Sequence, residues 1–383
     1  MLTPEYLQDL PDVIVQLWSE AERAILADMA RRLAKYNYWI PAVDHQAARL
    51  QAAGRTREDI LQALTRIMPK TRLELQEMMV EAGSRCLRSD IGVYTSAGLK
   101  TPKLNESKAL TDILNSGYQA TAQTMQNLCR VIPGVASQQF VEVLDQAWGQ
   151  ISSGAFDYQS AIRSAINKLC SSGVRAIVYP SGHKDQIEVA VRRAVITGIN
   201  QTSSRLQLEL ADEVGSDLVE VSAHAGARPS HAVWQGKIYS ISGKSEKYPS
   251  FRQATGYGTV TGLAGVNCRH TFGPWIEGSS RVWTDEELEK LKEKKYEYKG
   301  EKLTEYEASQ RQRYHERQIR RWKREQAAME AAGQDSSEAA AKVRAWEARQ
   351  REFLSATGLK RDYEREQIPQ TVKPKMLPEV KKK

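Results

Sequence analysis

Cysteine is scarce and scattered in this 383-residue chain. Cys86, Cys129, Cys170 and Cys268 are the four present, and no two of them form a CxxC pair. That spacing offers no disulfide framework and suits a reducing compartment. Long apolar runs are missing as well, with nothing near the ~18 consecutive apolar residues that a spanning helix needs. The opening MLTPEYLQDLPD has neither the basic segment nor the apolar stretch of a secretory signal, so export by that route is not expected. No internal repeat stands out. What remains is 41% apolar and 27% charged, the balance of a soluble globular protein of two or three domains.

Charge is the first thing present in excess. The net charge is +8, and Arg281 to Lys383 holds 26 Lys and Arg against 20 Asp and Glu, so +6 lies in the last quarter. A basic tail on a near-neutral body favours a polyanionic partner such as nucleic acid over a small acidic substrate.

Residues 1–213 read as successive helices. Thr3 is placed to cap the first, with Pro4 at its first turn, and Pro11 predicts a break soon after. Ile14, Leu17, Trp18, Ala21, Ile25, Met29 and Leu33 then recur at steps of three and four, an apolar helical stripe. TREDILQALTRIM suggests a new start at Thr56, with Ile60, Leu61, Leu64, Ile67 and Met68 as its buried face. Helical spacing continues through Leu110 to Leu128 and through Ile187 to Leu206. Pro133-Gly134, the SSG ending at Gly173 and Pro180-Ser181-Gly182 read as loops between helices.

The pattern changes after Gly215. DLVEVSAH and KIYSIS alternate apolar and polar residues and predict short strands. Nine glycines between 226 and 278 imply tight turns in a compact module. Thr284-x-x-Glu287 then opens a charged helical tail with a capping box. The expected fold is therefore mainly α: a multi-helix region over 1–213, a small Gly-rich α+β module over 214–280, charged helices over 281–366, and an extended or disordered basic arm over 367–383.

Three of the six histidines fall inside the module. His224, His231, Cys268 and His270 form a possible zinc set, because Cys268 and His270 on an extended segment share a face. The six residues between His224 and His231 match no standard zinc spacing, and the stronger reading is architectural. In it Arg228 and His231 bond loop carbonyls, Cys268 is a small buried hydrophobe, and Trp234, Tyr239, Phe272 and Trp275 fill the module. A Cys268 nucleophile beside Arg269 and His270 is weaker, since no acidic orienter is evident. Gly256, Gly258, Gly262 and Gly265 spell no phosphate-binding motif and read as structural. RQRYHERQIRRWKR, residues 311–324, has seven Lys and Arg and one Glu. As a helix it lines up Arg313, Arg317, Arg320, Arg321 and Arg324, a DNA-contacting face or else a solvated or intramolecular one.

Together these residues resemble a known family. ARPSHAVWQGKIYSISG followed by YPSFRQATGYGTVTGLAGVNCRHTFGPWIEG is similar to the signature of tailed-phage minor capsid proteins of the phage minor capsid protein 2 type, related to the Mu F-like minor head proteins. The matching positions are Arg228, His231, Gly236, Asn267, Cys268, Arg269, His270 and Pro274, within Val219 to Gly278. The resemblance implies a non-enzymatic structural protein, present in few copies inside the phage head near the portal vertex. Its implied partners are the portal, the capsid, packaged double-stranded DNA contacted without regard to sequence, and other copies around the portal. It implies no catalytic role for the Arg, His and Cys residues and no required cofactor. The competing readings are a metal-dependent hydrolase or nuclease built on the zinc set, and a stand-alone DNA-binding protein acting through residues 311–324.

Overall fold

The computed structural model describes residues 1–178 and 182–368 and is mainly α, with only small sheets. α1 (Pro4–Asp9) starts where expected, the Thr3 hydroxyl accepting the Tyr6 N–H at 3.2 Å. Pro11 ends it and leads into α2 (Asp12–Lys35), whose stripe from Ile14 to Leu33 is wholly buried. Three long helices follow: α3 (Ala42–Ser96), α4 (Lys108–Ser152) and, after α5 (Tyr158–Ser172) and the hairpin of β1 (Arg175–Val178) and β2 (Lys184–Gln186), α6 (Ile187–Glu213). Their stripes meet in one apolar core flanked by α2 and α5. At a rise of 1.5 Å per residue, the 55 residues of α3 span about 80 Å.

Two expected boundaries are absent. Thr56 is buried inside α3 and caps nothing, and Leu61 points outward at 43% exposure, so the inward face is Ile60, Leu64 and Met68. Pro133-Gly134 is likewise not a loop, because α4 runs straight through it. A proline inside a helix costs one backbone hydrogen bond and about 3 kcal/mol. Burial of Ile132, Ala136 and Phe140 on the same stripe offsets that, at roughly 1.5–3 kcal/mol for each large apolar side chain. The β1–β2 hairpin is a further departure from an all-helical region. Gly173 does end α5 as expected, with φ 61°. Of the loop expected at Pro180-Ser181-Gly182, only Gly182 lies within the described residues.

The crossing of α4 and α6 is held close by two Gly–Thr pairs. A Cβ on Gly117 would sit 2.1 Å from Thr202 Oγ1, and one on Gly198 would sit 2.2 Å from Thr121 Oγ1. Each threonine hydroxyl turns back on its own helix, Thr121 donating to Gly117 O and Thr202 to Gly198 O. The pairing is reciprocal, so the two backbones approach at two places with every hydroxyl satisfied.

The module that follows contains β3 (Leu218–Val221), α7 (Pro229–Ala232), β4 (Ile238–Ser240), α8 (Phe251–Thr255) and β5 (Phe272–Pro274). The strands form an antiparallel sheet in the order β4-β3-β5, with Val219 opposite both Tyr239 and Pro274. Its own small core is built from Val219, Val221, Trp234, Tyr239, Phe251, Leu263, Cys268 and Phe272. Both strands expected after Gly215 are present, and β5 is the unforeseen third.

The tail opens with α9 (Asp285–Lys290), whose Thr284–Glu287 capping box is fully formed. The β6 (Tyr296–Tyr298) and β7 (Glu301–Leu303) hairpin precedes α10 (Glu305–Ala331) and α11 (Ser337–Thr357), which pack as a helical hairpin. α10 also lies against α2 and α5, and its Ala328 and Met329 enter the body's core. A short 3₁₀ turn at Glu364–Glu366 is held by Arg361 on buried Glu366. The expected basic arm lies, beyond residue 368, outside the described residues. No helix among the described residues is long and apolar enough to cross a membrane.

Candidate functional site

Glycine sets the shape of the loop that carries the signature. Gly256 adopts φ 64°, and a Cβ on Gly262 would meet Gly256 O at 2.0 Å. Gly265 is as crowded, 2.5 Å from Val260 O, so two backbones touch where only glycine fits. Gly258, at φ 91°, and Gly236, at φ 64° against Leu288, complete the turns. Side chains then tie the loop down: Arg228 donates to Val266 O at 3.1 Å and His231 Nε2 to Thr261 O at 2.9 Å. Asn267 sits at φ 55° and its N–H donates to Thr197 Oγ1. Pro274 lies in β5 opposite Val219.

Two further residues, Asn200 outside the signature and Gln235 within it, hold the loop from behind. The Asn200 amide, buried in α6, donates to Cys268 O at 2.9 Å and to His270 O at 3.1 Å. Gln235 Oε1 accepts both the His224 N–H and His270 Nε2–H. Neither was singled out from sequence. The signal for Asn200 was available, as a polar residue on the apolar stripe through Ile196 and Ile199.

This clamping brings three of the four candidate ligands together. Cys268 Sγ lies 3.8 Å from His231 Nδ1 and 3.8 Å from His270 Nδ1, and all three groups are buried. His224 stays outside the cluster, its ring tilted 34° against that of His270 with the centres 4.4 Å apart. Trp234 closes another side, 4.7 Å from His231 and 4.8 Å from His270 between ring centres. Burial, and then the neighbouring cations, pushes the histidines toward the neutral form, His224 to about 3. Burial pushes the Cys268 thiol up, so the metal-free group is a thiol and not an activated nucleophile.

The cluster forms the floor of a cleft of about 410 Å³ between α2, α6, the module and α10. Seven arginines line it against four carboxylates. Arg192 is paired with Asp12 and Arg320 with Glu188, each at 2.5 Å, and Arg365 reaches Asp362 at 2.9 Å. Arg269 and Arg313 both converge on the neutral Gln8 Oε1. Among the described residues Arg228, Arg269, Arg313 and Arg317 make no ion pair. Burial and the crowding of like charges lower Arg313 to about 10, the signature of a cationic field short of counter-charge.

The arginines read from sequence as one face of α10 are therefore divided. Arg313, Arg317 and Arg320 line the cleft. Arg324 is buried against Glu22 at 3.5 Å, and Arg321 lies over the Trp322 ring at 4.6 Å. The face is thus partly intramolecular, one of the alternatives left open by the sequence, because Arg320 meets Glu188 of α6 and Arg324 meets Glu22 of α2.

The residues that line this cleft, from Gln8 to Gln367, span almost the whole chain. So does its match to a family model: residues 2–355 match Phage minor capsid protein 2. The chain belongs to the phage minor capsid protein 2 family. A curated relative described as "Structural protein" of Lactococcus phage LL-H is 25% identical over 145 residues, which cover 36% of this chain and only 39% of the relative. No solved structure matches. For a phage minor capsid protein the residues shared with the signature are the ones that build the loop and the cleft floor.

Proposed function

We propose that this minor capsid protein acts inside the phage head at the portal vertex, in few copies, and holds packaged double-stranded DNA through its phosphates. In this reading it turns over no substrate. Its role is to attach protein and nucleic acid during head assembly, packaging or ejection. The observation that carries the reading is the cleft whose cations outnumber its carboxylates. Such a surface binds phosphates by releasing counterions and reads no bases. A second feature suits attachment to a ring-shaped partner. Val43, Leu50 and Leu61 are 79%, 69% and 43% exposed and fall at steps of seven and eleven along one face of α3. That face is the proposed contact with portal or capsid, repeated by copies arranged around the portal.

Arg313→Glu combined with Arg317→Glu is expected to weaken DNA binding equally for unrelated sequences. The slope of log affinity against log salt should fall by roughly 0.9 for each phosphate that is no longer neutralised. Arg321→Glu, outside the cleft, should leave the slope unchanged. Binding unchanged by the paired substitution would remove DNA from the reading. Cross-linking in purified virions tests the placement, with cross-links from α3 to portal expected.

A further inference from the structure

The loop carries a feature that DNA contact does not use: two imidazole lone pairs aimed at one sulfur. Thr261 O is a carbonyl and can only accept, so His231 carries its proton on Nε2. Gln235 Oε1 already accepts the His224 N–H at 3.1 Å, which identifies it as the oxygen, so His270 also carries its proton on Nε2. Both Nδ1 atoms are then unprotonated, and both face Cys268 Sγ at 3.8 Å. One thiol proton can satisfy only one of them. An arrangement made solely for packing has no need of the second.

A metal ion does need it. Ligating histidines are oriented by donating the far ring N–H to a carbonyl or carboxylate, which fixes the tautomer and the ring. Tetrahedral zinc, with Zn–S near 2.3 Å and Zn–N near 2.0–2.1 Å, puts sulfur and nitrogen about 3.6 Å apart. The observed separations are close to that, and the three donor atoms all lie within 4.8 Å of one another. The backbone of Cys268 and His270 is pinned from α6 by Asn200 and His231 lies in α7, so the donors come from held segments rather than a free loop. We propose that His231 Nδ1, Cys268 Sγ and His270 Nδ1 bind one divalent ion of the zinc class, with the fourth position open to the arginine cleft.

Charge decides what fills that position. Binding releases the thiol proton to solvent, and the thiolate cancels one of the two metal charges. Arg228 and Arg269 beside the site disfavour the positive charge that remains. An oxyanion in the fourth position, with arginine around its other oxygens, removes that penalty. Metal and oxyanion therefore bind with positive coupling, each raising the other's affinity by the same factor. The inference does not rest on the DNA reading, since the donors and their hydrogen bonds are independent of it.

The test is cobalt(II) titration of the full-length chain. A thiolate-to-cobalt charge-transfer band in the near ultraviolet and intense tetrahedral bands in the visible are expected at one ion per chain. Zinc should displace them. Cys268→Ser should abolish the charge-transfer band, and His231→Gln should weaken binding by tenfold or more, the order of one missing ligand. His224→Gln should leave the spectrum intact, and circular dichroism shows whether each variant is folded. Inorganic phosphate should shift the visible bands and tighten cobalt binding. Arg313→Gln should keep the ion but weaken the phosphate effect about tenfold, the loss of one charge-assisted hydrogen bond. A wild-type chain that shows no charge-transfer band overturns the site, as does a band that survives in folded Cys268→Ser. A bound ion whose spectrum ignores phosphate overturns the open position.

Discussion

The helical body and the glycine-rich module are stabilised by different means. The body buries a long continuous set of side chains from α2 to α6, most of them aliphatic, and spreads its stability over all of them. The module's own core cluster has only eight apolar residues, and the module depends on backbone approaches at Gly256, Gly262 and Gly265, with carbonyls answered by Arg228, His231 and Asn200. A core made of area tolerates change gradually. A loop made of touching backbones does not. The chemistry-bearing residues all sit in or against the less tolerant part, where positions are held tightly enough to aim a lone pair.

The largest expected effect follows from that contrast. Gly262→Ala places a methyl 2.0 Å from a backbone carbonyl that has nowhere to go, and should cost at least about 4 kcal/mol in the module. Limited proteolysis should show cleavage in the 243–268 loop while α3 and α4 stay protected. Gly54→Ala is the control: nothing lies within 4 Å of its Cβ position in α3, and helix propensity should make it neutral or stabilising by up to about 1 kcal/mol. Equal loss at both sites would erase the distinction between the two regions.

Next comes the junction of tail and body. Arg324 and Glu22 are both almost fully buried, and Glu22 also accepts the Val174 N–H at 2.8 Å. Burial raises the Glu22 carboxyl and Arg324 opposes that rise. Arg324→Met should therefore cost about 3 kcal/mol, at the low end for a broken buried pair because their 3.5 Å separation is long. Adding Glu22→Gln should recover part of the loss in thermal unfolding. If it recovers none, the cost belongs to packing and not to the stranded carboxylate.

A smaller cost is expected at the α4–α6 crossing. Gly117→Ala needs Thr202 to move from 2.1 Å, which calls for a rotamer change or slight separation of the helices, roughly 1–3 kcal/mol. Thr202→Ala in the same chain should relieve most of it. Failure of that rescue would mean that the helix backbones, not the threonine, set the spacing.

How much of this was legible in the sequence depends on distance along the chain. The stripe of α2, the Thr284 capping box, the two strands after Gly215 and the family signature are local patterns, and the structure contains them. Pro133 misled because a local rule was outweighed by burial on both sides of it. Which arginines of α10 turn inward was hidden for a related reason: Arg320 meets Glu188 and Arg324 meets Glu22, partners more than a hundred residues away that no helical spacing reveals. Cys268 and His270 do share a face as expected. The turn that brings His231 to them across 37 residues comes from glycine packing invisible to pattern reading. Sequence favoured a purely architectural loop, and the side-chain tautomers are what now point to an ion.

The smallest effect lies in the tail, where His315 packs between α10 and α11 against Trp346 and Phe353 and bonds Gln350 at 3.1 Å. Burial lowers its proton affinity, with Arg311 and Arg349 adding to the effect and Glu352 and the Gln350 bond opposing it. The unfolded chain takes up this proton near pH 6.5, while the folded chain resists. The contribution of this group to stability should then be constant above about pH 7 and decline as pH drops through 6.5, levelling off below the folded value. His315→Gln cannot titrate and should lose that component, so its stability relative to the parent should improve as pH falls. A parallel pair of pH profiles would show that the tail's histidine is exposed enough to protonate freely. In that case the α10–α11 hairpin would be held by its exposed pairs, and the division between a tolerant body and a demanding module would not extend into the tail.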